Sequence, residues 1–262
     1  MHPVCKQIRR DILLASRASG HGHIPTSFSI VEMLFATYET MRHNPKNPAW
    51  EERDIFILSK GHGALGFYCV LARIGYFDVE EPKTFGAYLS RFGCHPDRHK
   101  VLGVEASTGS LGHGIGIAVG MALAFKLSGA RRRVFTLIGD GEANEGSTWE
   151  AIMIANNLSL SNLTILMDFN KSQVRSLPID NPAERLRTFG CVVHEVNGHD
   201  VEELKQALSI KSSTVKAVVA HTIKGHGCQT LEQNIFEWHR KSPDAAQYEQ
   251  FLKELDAGSS LA

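Results

Sequence analysis

The stretch RVFTLIGDGEANEGSTWEAIMIANNLSLSNLTILMDFN, residues 133–170, decides the fold. It opens with a short apolar run, residues 133–138, and closes with another, residues 163–168. Residues 147–158 between them carry helical apolar spacing. Strand, helix and strand in about 35 residues is a βαβ unit, whose crossover is right-handed and whose strands are parallel. The same alternation continues downstream, with strands predicted at 191–196 and 215–221 and helices at 183–189 and 201–210. Upstream, the pattern predicts helices at 4–19, 29–41, 64–74 and 112–127, and a strand at 54–58. The strands VFTLI, LTILM and VKAVVA are apolar on both faces, as a parallel sheet covered by helices on both sides requires. The fold class is therefore α/β, a doubly wound parallel sheet, and residues 1–262 are read as a single domain. Residues 77–111 are irregular and rich in Gly, Pro and His, which marks a site-forming surface. Residues 241–262 read as an appended polar helix ending in a frayed GSSLA tail.

Composition narrows the functional classes. Lys plus Arg and Asp plus Glu are 28 each, and 43% of the 262 residues are hydrophobic. That balance argues against a polybasic nucleic-acid binder and against a disordered chain. No apolar run approaches the ~18 residues of a membrane span, and residues 1–10 lack a signal-peptide core. The five cysteines are scattered without a CxxC pair, which suits reduced, mostly buried thiols in a cytoplasmic protein.

The chemistry concentrates at strand ends. Gly139-Asp140-Gly141 follows one strand directly and Asn170 follows the next, so both fall on the edge where open α/β sheets bind ligands. Asp140 offers a hard carboxylate and Asn170 a carbonyl oxygen, while the glycines let backbone approach a bulky anion. The set suits Mg²⁺ or Ca²⁺ bridging to phosphate oxygens. Ser147 and Glu150 have the spacing of a capping box for the intervening helix. An Asp-Gly pair alone is an ordinary turn; its pairing with Asn170 at a second strand end separates this one from that reading. Gly112, Gly114, Gly116 and Gly120 lack the preceding strand that a dinucleotide loop needs. His21-x-His23 and His95-x₃-His99 lack the Cys or carboxylate partners of a zinc site.

The segment GDGEANEGSTWEAIMIANNLSLSNLTILMDFN resembles the thiamine diphosphate motif, GDG followed by Asn about thirty residues on. GHIPTSFSIVEML, RDIFILSKGHG, CHPDRHKVLGVEASTGSLGHGIGIAVGMALA and HTIKGHG…EWHRKSP resemble, in that order, the diphosphate-binding half of transketolase. The resemblance implies that Asp140, Asn170 and the carbonyl of Ser172 ligate the metal. It implies that Gly139, Gly141 and His62 meet the diphosphate, and that Gly109, Ser110 and Leu111 hold the cofactor rings through backbone groups. His239 would lie near both diphosphate and substrate, and His95 and one histidine of HGH would contact the sugar. The SGH serine favours His21, but the register counted back from FSIVEML and SKGHG falls on His23, which is taken as the match; Pro25 then stands where the family usually has Gly. Histidine suits ketol transfer, because protons move on and off sugar hydroxyls near neutral pH. His2, His43, His99, His194 and His199 are expected at the surface or in caps.

The family's pyrimidine-binding domain, with its activating glutamate, has no counterpart here, and neither has its sugar-phosphate arginine cluster. The resemblance thus implies a split enzyme: an N-terminal subunit using thiamine diphosphate and Mg²⁺ (or Ca²⁺) and transferring a two-carbon ketol unit from a ketose to an aldose. It would act only with a separate C-terminal subunit, in an α₂β₂ complex, with no nucleic-acid or membrane partner. An acyloin synthase or a 2-oxo acid dehydrogenase E1 α-type subunit shares GDG and NEG, and a non-catalytic cofactor-binding relic is the alternative of a different class.

Overall fold

A computed structural model describes residues 1–173 and 177–258. In chain order the elements are α1 (Pro3–Ser19), α2 (Ile24–Ser29), α3 (Val31–Thr40), β1 (Ile55–Leu58), α4 (Ala64–Arg73), α5 (Gly114–Ser128), β2 (Val134–Gly139), α6 (Gly146–Asn157), β3 (Leu163–Phe169), α7 (Pro182–Thr188), β4 (Val192–Asn197), α8 (Val201–Ser209), β5 (Lys216–His221), α9 (Gln229–Gln233) and α10 (Ala245–Ala257). The strands form one parallel sheet in the order β1-β2-β3-β5-β4. Side chains alternate between two cores. Phe56, Leu58, Phe135, Leu137, Leu166 and Val218 pack against α1, α3, α4, α8 and α10. Ile55, Ile57, Ile138, Ile165, Met167 and Val219 pack against α5, α6 and α7. The doubly wound parallel sheet read from the sequence is the fold observed. β1 and β4 are the two edge strands; β1 is covered and wholly buried, whereas the VVHEVN sequence of β4 is half polar.

Several local expectations are corrected. The helix expected over 29–41 is two helices, α2 and α3, broken at Ile30 (φ −108°, ψ 3°), and it begins earlier, directly after His23. The Ser147–Glu150 capping box does not form. α6 starts at Gly146, so Ser147 already lies inside it, and Glu145 is the N-cap residue without a side-chain cap. The entry turn is held instead by Thr148 Oγ1 and Trp149 Nε1 donating to the carbonyls of Glu142 and Ala143, at 3.0 and 2.7 Å. Residues 241–258 are no appendage. Asp244 and Gln247 form a capping box for α10, and Phe251 and Leu255 are fully buried, each contributing about 1.5–3 kcal/mol by burial. Of the tail expected at the end, residues 259–262 lie outside the described residues. His199 is not at the surface either: its Nδ1 lies 3.1 Å from Glu32, which is fully buried with Arg9. A buried ion pair needs every lone pair satisfied, and His199 supplies one of those contacts.

Candidate active site

The carboxyl ends of β1, β2, β3 and β5 lie side by side and bring four chain segments to one sheet edge. Ser59 and Lys60 follow β1, Asp140 follows β2, Asn170 follows β3, and Thr222 to Lys224 follow β5. Irregular residues from 77–111 cover this edge. Gly61 is required here: a Cβ at that position would come within 2.8 Å of the Gly109 backbone nitrogen, so SKGHG and STGSL can pass each other only with glycine. The result is a cavity of about 610 Å³.

Oxygen atoms converge at its floor. Asp140 Oδ2 and Asn170 Oδ1 both accept from the Ser172 N–H, each at 3.0 Å. Asp140 Oδ1 also accepts from Gly141 N at 2.7 Å, and the Gln173 amide donates to the same oxygen at 3.0 Å. What Ser172 turns toward both oxygens is its N–H, so these contacts do not supply the carbonyl ligand expected of it. The Asn170 amide has a defined orientation, because its Nδ2 donates to Asp168 Oδ2 at 2.9 Å and leaves its oxygen facing Asp140. Asp168 is fully buried and also accepts from Lys60 Nζ at 2.5 Å, Ser29 Oγ at 2.8 Å and Thr222 Oγ1. Burial would raise its pKa, but the Lys60 ammonium together with the Thr222 and Ser29 hydroxyls holds it below the usual carboxylate range. Asp140 has no such partner: burial and then the Asp168 charge push its pKa up. A buried carboxylate held only by neutral donors, with an amide oxygen beside it, is an all-oxygen set that a hard divalent cation fits. Gly141 faces open space above it, where an added Cβ would meet nothing within 4 Å.

Three imidazoles form the next layer. The His23 ring centroid lies 5.8 Å from that of His62 and 5.0 Å from that of His239, both edge-on. Burial lowers the His23 pKa to about 4, and the neighbouring His239 and the charge of Arg240 act in the same direction. Burial, then Lys60, lowers His62 to about 2, and burial also lowers His239. All three are neutral at pH 7, each with one donor and one acceptor nitrogen. Lys224 is buried among them and lowered to about 8, by burial first and Lys60 second. His21 also reaches the cavity wall, but its ring packs on Phe85 (5.0 Å) with Cys94 Sγ 4.0 Å from Nε2, away from the other imidazoles.

Of the residues singled out in the sequence, His23, His62, His95, Gly109, Leu111, Gly139, Asp140, Gly141, Asn170, Ser172 and His239 all line this cavity. Ser110 does not, and it is exposed. Four further residues escape sequence reasoning. Lys60 and Lys224 sit inside SKGHG and TIKGHG, where their charge is the available signal. Thr26 is buried at the cavity wall with an unpartnered Oγ1. Glu142 is buried too. It accepts from Ser59 Oγ, from Gly112 N at 2.9 Å and from Gly139 N at 3.2 Å, tying three cavity loops together.

Comparison with known proteins identifies the family. The family described as transketolase, thiamine diphosphate binding domain, matches residues 4–251. The chain is 40% identical over 259 residues to an apulose-4-phosphate transketolase subunit of Actinobacillus succinogenes, covering 95% of this chain and 94% of that one. It is 37% identical over 231 residues to the 6-deoxy-6-sulfo-D-fructose transketolase subunit SqwG of a Clostridium species, covering 85% and 84%. The Pichia stipitis transketolase solved with sedoheptulose 7-phosphate superposes with a TM-score of 0.88 at 27% identity, over 96% of this chain and 40% of that one. The Campylobacter jejuni transketolase superposes at 0.86 and 26%, over 100% and 44%. The chain thus spans less than half of these longer transketolases and nearly the whole of the Actinobacillus relative. It belongs to the transketolase family, as a thiamine diphosphate-binding domain of the kind found in N-terminal transketolase subunits.

Proposed function

We propose that this chain is the diphosphate-binding subunit of a two-polypeptide transketolase that moves a two-carbon ketol unit from a ketose to an aldose. The observation that carries this is the convergence of Asp140 and Asn170 oxygens on one point below a trio of neutral imidazoles. Asp140 and Asn170, with a group of Ser172, would hold Mg²⁺ or Ca²⁺. Gly139, Gly141 and His62, with the buried Lys224, would receive the diphosphate. Backbone groups of Gly109, Ser110 and Leu111 would hold the rings, Ser110 through its main chain only. Bound there, thiamine diphosphate supplies an electron sink for the carbanion that ketol transfer requires.

The chain's own part is to orient the sugar and to handle protons. His23, His95 and His239 face the cavity, and burial leaves His23 and His239 unprotonated at pH 7, each with an acceptor nitrogen that a sugar hydroxyl can meet. The names of the two relatives as transketolase subunits support a separate partner polypeptide, which would contribute the pyrimidine-binding domain in an α₂β₂ assembly. Free thiols at all five cysteines support the cytoplasm as its compartment. Among the described residues no helix is long and apolar enough to cross a membrane.

The test is to combine the purified chain with a pyrimidine-domain partner polypeptide, thiamine diphosphate and Mg²⁺, and assay a panel of ketose–aldose pairs. Ketol transfer by the pair and none by either polypeptide is expected. Transfer by this chain alone would overturn the two-polypeptide arrangement. Metal-dependent quenching of Trp fluorescence by the cofactor without transfer from any pair would favour the non-catalytic relic.

A further inference from the structure

The charges along the cavity are ordered, and one of them is left over. At the floor Lys60 is matched by Asp168 at 2.5 Å. Lys224, also buried, lies within electrostatic range of Asp140, Asp168 and Lys60, so it belongs to the metal and diphosphate end. Arg240 stands at the other end. It follows the single helical turn 237–239 that carries His239, it is exposed, and it lines the same cavity. Its charge reaches His23 and His239, as does that of Lys224, whereas the lysines acting on His62 are Lys60 and Lys224. With His239 directly before it in the chain and its own side chain exposed, Arg240 lies on the open side of the imidazoles.

Arg240 has no hydrogen bond or ion pair among the described residues. The nearby acid Glu237 is taken by Lys241 at 2.9 Å, and Lys241 also covers the Trp238 ring at 4.5 Å. A guanidinium presents a planar fork of donors matched to two oxygens of one anionic group. Among the described residues it is the one guanidinium that lines the cavity, and it has no partner there.

We infer that Arg240 is a specificity-determining residue that grips an oxyanion at the end of the sugar remote from the ketol. This rests on the ketol-transfer reading, in which the reacting end of the sugar lies at the imidazoles and its far end at the mouth. A phosphate ester and a sulfonate both present the required oxygens, and the grip is for that shared chemistry.

The test uses the complex of this chain with its partner, comparing ketoses of one chain length that carry a phosphate, a sulfonate or a neutral hydroxyl. Arg240→Gln is expected to lower the anionic-to-neutral ratio of kcat/KM by roughly 10- to 100-fold, chiefly through KM, the scale of one charge-assisted contact. Arg240→Lys should recover part of it. Loss confined to the phosphate or to the sulfonate arm identifies which anion is read. A ratio within about twofold of wild type in both arms overturns the inference, as does an equal loss for neutral and anionic sugars. A second readout does not need turnover: inorganic phosphate and methanesulfonate binding to the cofactor-loaded complex by calorimetry. Weaker binding of either probe to Arg240→Gln supports the grip even if no sugar pair is turned over, which would sink the ketol-transfer reading alone. Unchanged binding of both probes overturns the grip.

Discussion

Asp168 offers the sharpest test of how the floor of the site is built. Its side chain is fully buried, that of Lys60 is 3% exposed, and the two meet at 2.5 Å. Asp168→Asn keeps the shape and removes the charge, leaving the Lys60 ammonium buried against an amide. Removing one partner of a buried pair costs about 3–5 kcal/mol, so urea unfolding of the variant chain at pH 7 should show that loss at an unchanged m-value. A second consequence is chemical. The Asn170 amide is oriented by donating to Asp168 at 2.9 Å, and losing the partner that orients a metal ligand typically costs about 10- to 100-fold in metal affinity. A Mg²⁺ titration of cofactor-dependent Trp quenching in the assembled enzyme reads this directly. Lys60→Met should destabilise by a similar amount, and the double variant by clearly less than the sum, because neither charge is then stranded. A single-variant loss below about 1 kcal/mol, or strict additivity in the double variant, would refute the reasoning.

Asp140→Ala removes the one full negative charge among the proposed metal ligands; cofactor affinity in the complex should collapse while the urea midpoint stays near wild type, and affinity within about threefold of wild type would contradict that. His23→Ala should cut kcat by roughly 10²-fold or more, the scale of a general acid–base group, with His21→Ala much milder since its ring lies outside the imidazole trio; steady-state kinetics with the reverse order would reassign the sugar contact. Glu142→Gln replaces one of the acceptor oxygens facing Ser59 Oγ and the N–H groups of Gly112 and Gly139; we expect the KM for thiamine diphosphate to rise about tenfold or more with kcat at saturation changed far less. His62 and His226 are lowered to about 2 and 3, mainly by burial. Since the unfolded imidazole binds its proton near pH 6.5, stability is complete above that pH and falls as the pH drops toward 3, by up to about 1.4 kcal/mol per unit for each; urea midpoints that stay flat from pH 7 to pH 5 would exclude this.

The parts of the site legible in the sequence are those set by local rules. GDG and Asn170 announce themselves because strand periodicity places each at a strand end, and parallel strands put all such ends on one edge. Pairings across the sheet are not local. Lys60 and Asp168 meet only because β1, β2 and β3 are neighbours, a fact about strand order that no spacing within SKGHG or LTILMDF encodes. Glu142 reads as one more polar residue of EANEG until Gly112, thirty positions away, is folded onto it. Thr26 reads as a helix interior residue, and its unpartnered hydroxyl becomes visible only with the cavity. His199 illustrates the opposite error. In NGHD it has the company of a turn histidine, yet the ion pair of Arg9 and Glu32 draws its ring inside. The Ser147–Glu150 pattern is a sound capping signal at the wrong residue, because Thr148 and Trp149 secure the preceding turn.

His23 and His239 are 216 positions apart, and their approach to 5.0 Å has a traceable cause. Both segments are hung on the last turn of α1. The buried Ser16 donates through Oγ to the His21 carbonyl at 3.1 Å, and Ser19 Oγ donates to the same carbonyl at 2.9 Å. Ser16's own carbonyl accepts from Gly20 N at 2.9 Å and from Ser242 Oγ at 2.7 Å. One residue of a helix C-terminus, where carbonyls lack intrahelical donors, thus anchors the HGH loop and the strap that follows His239. On its other side that strap is held by Trp238 against Phe251 of α10, at 4.8 Å. Glu254 of α10 is in turn fastened to Thr230 through N–H and Oγ1 at 2.9 and 2.6 Å. α10 therefore belongs to the machinery that sets the imidazole spacing, although none of its residues lines the cavity. Rings set edge-on at about 5–6 Å keep that spacing only while both backbone segments stay in place, and the burial of Phe251 and Leu255 fixes the helix that holds one of them.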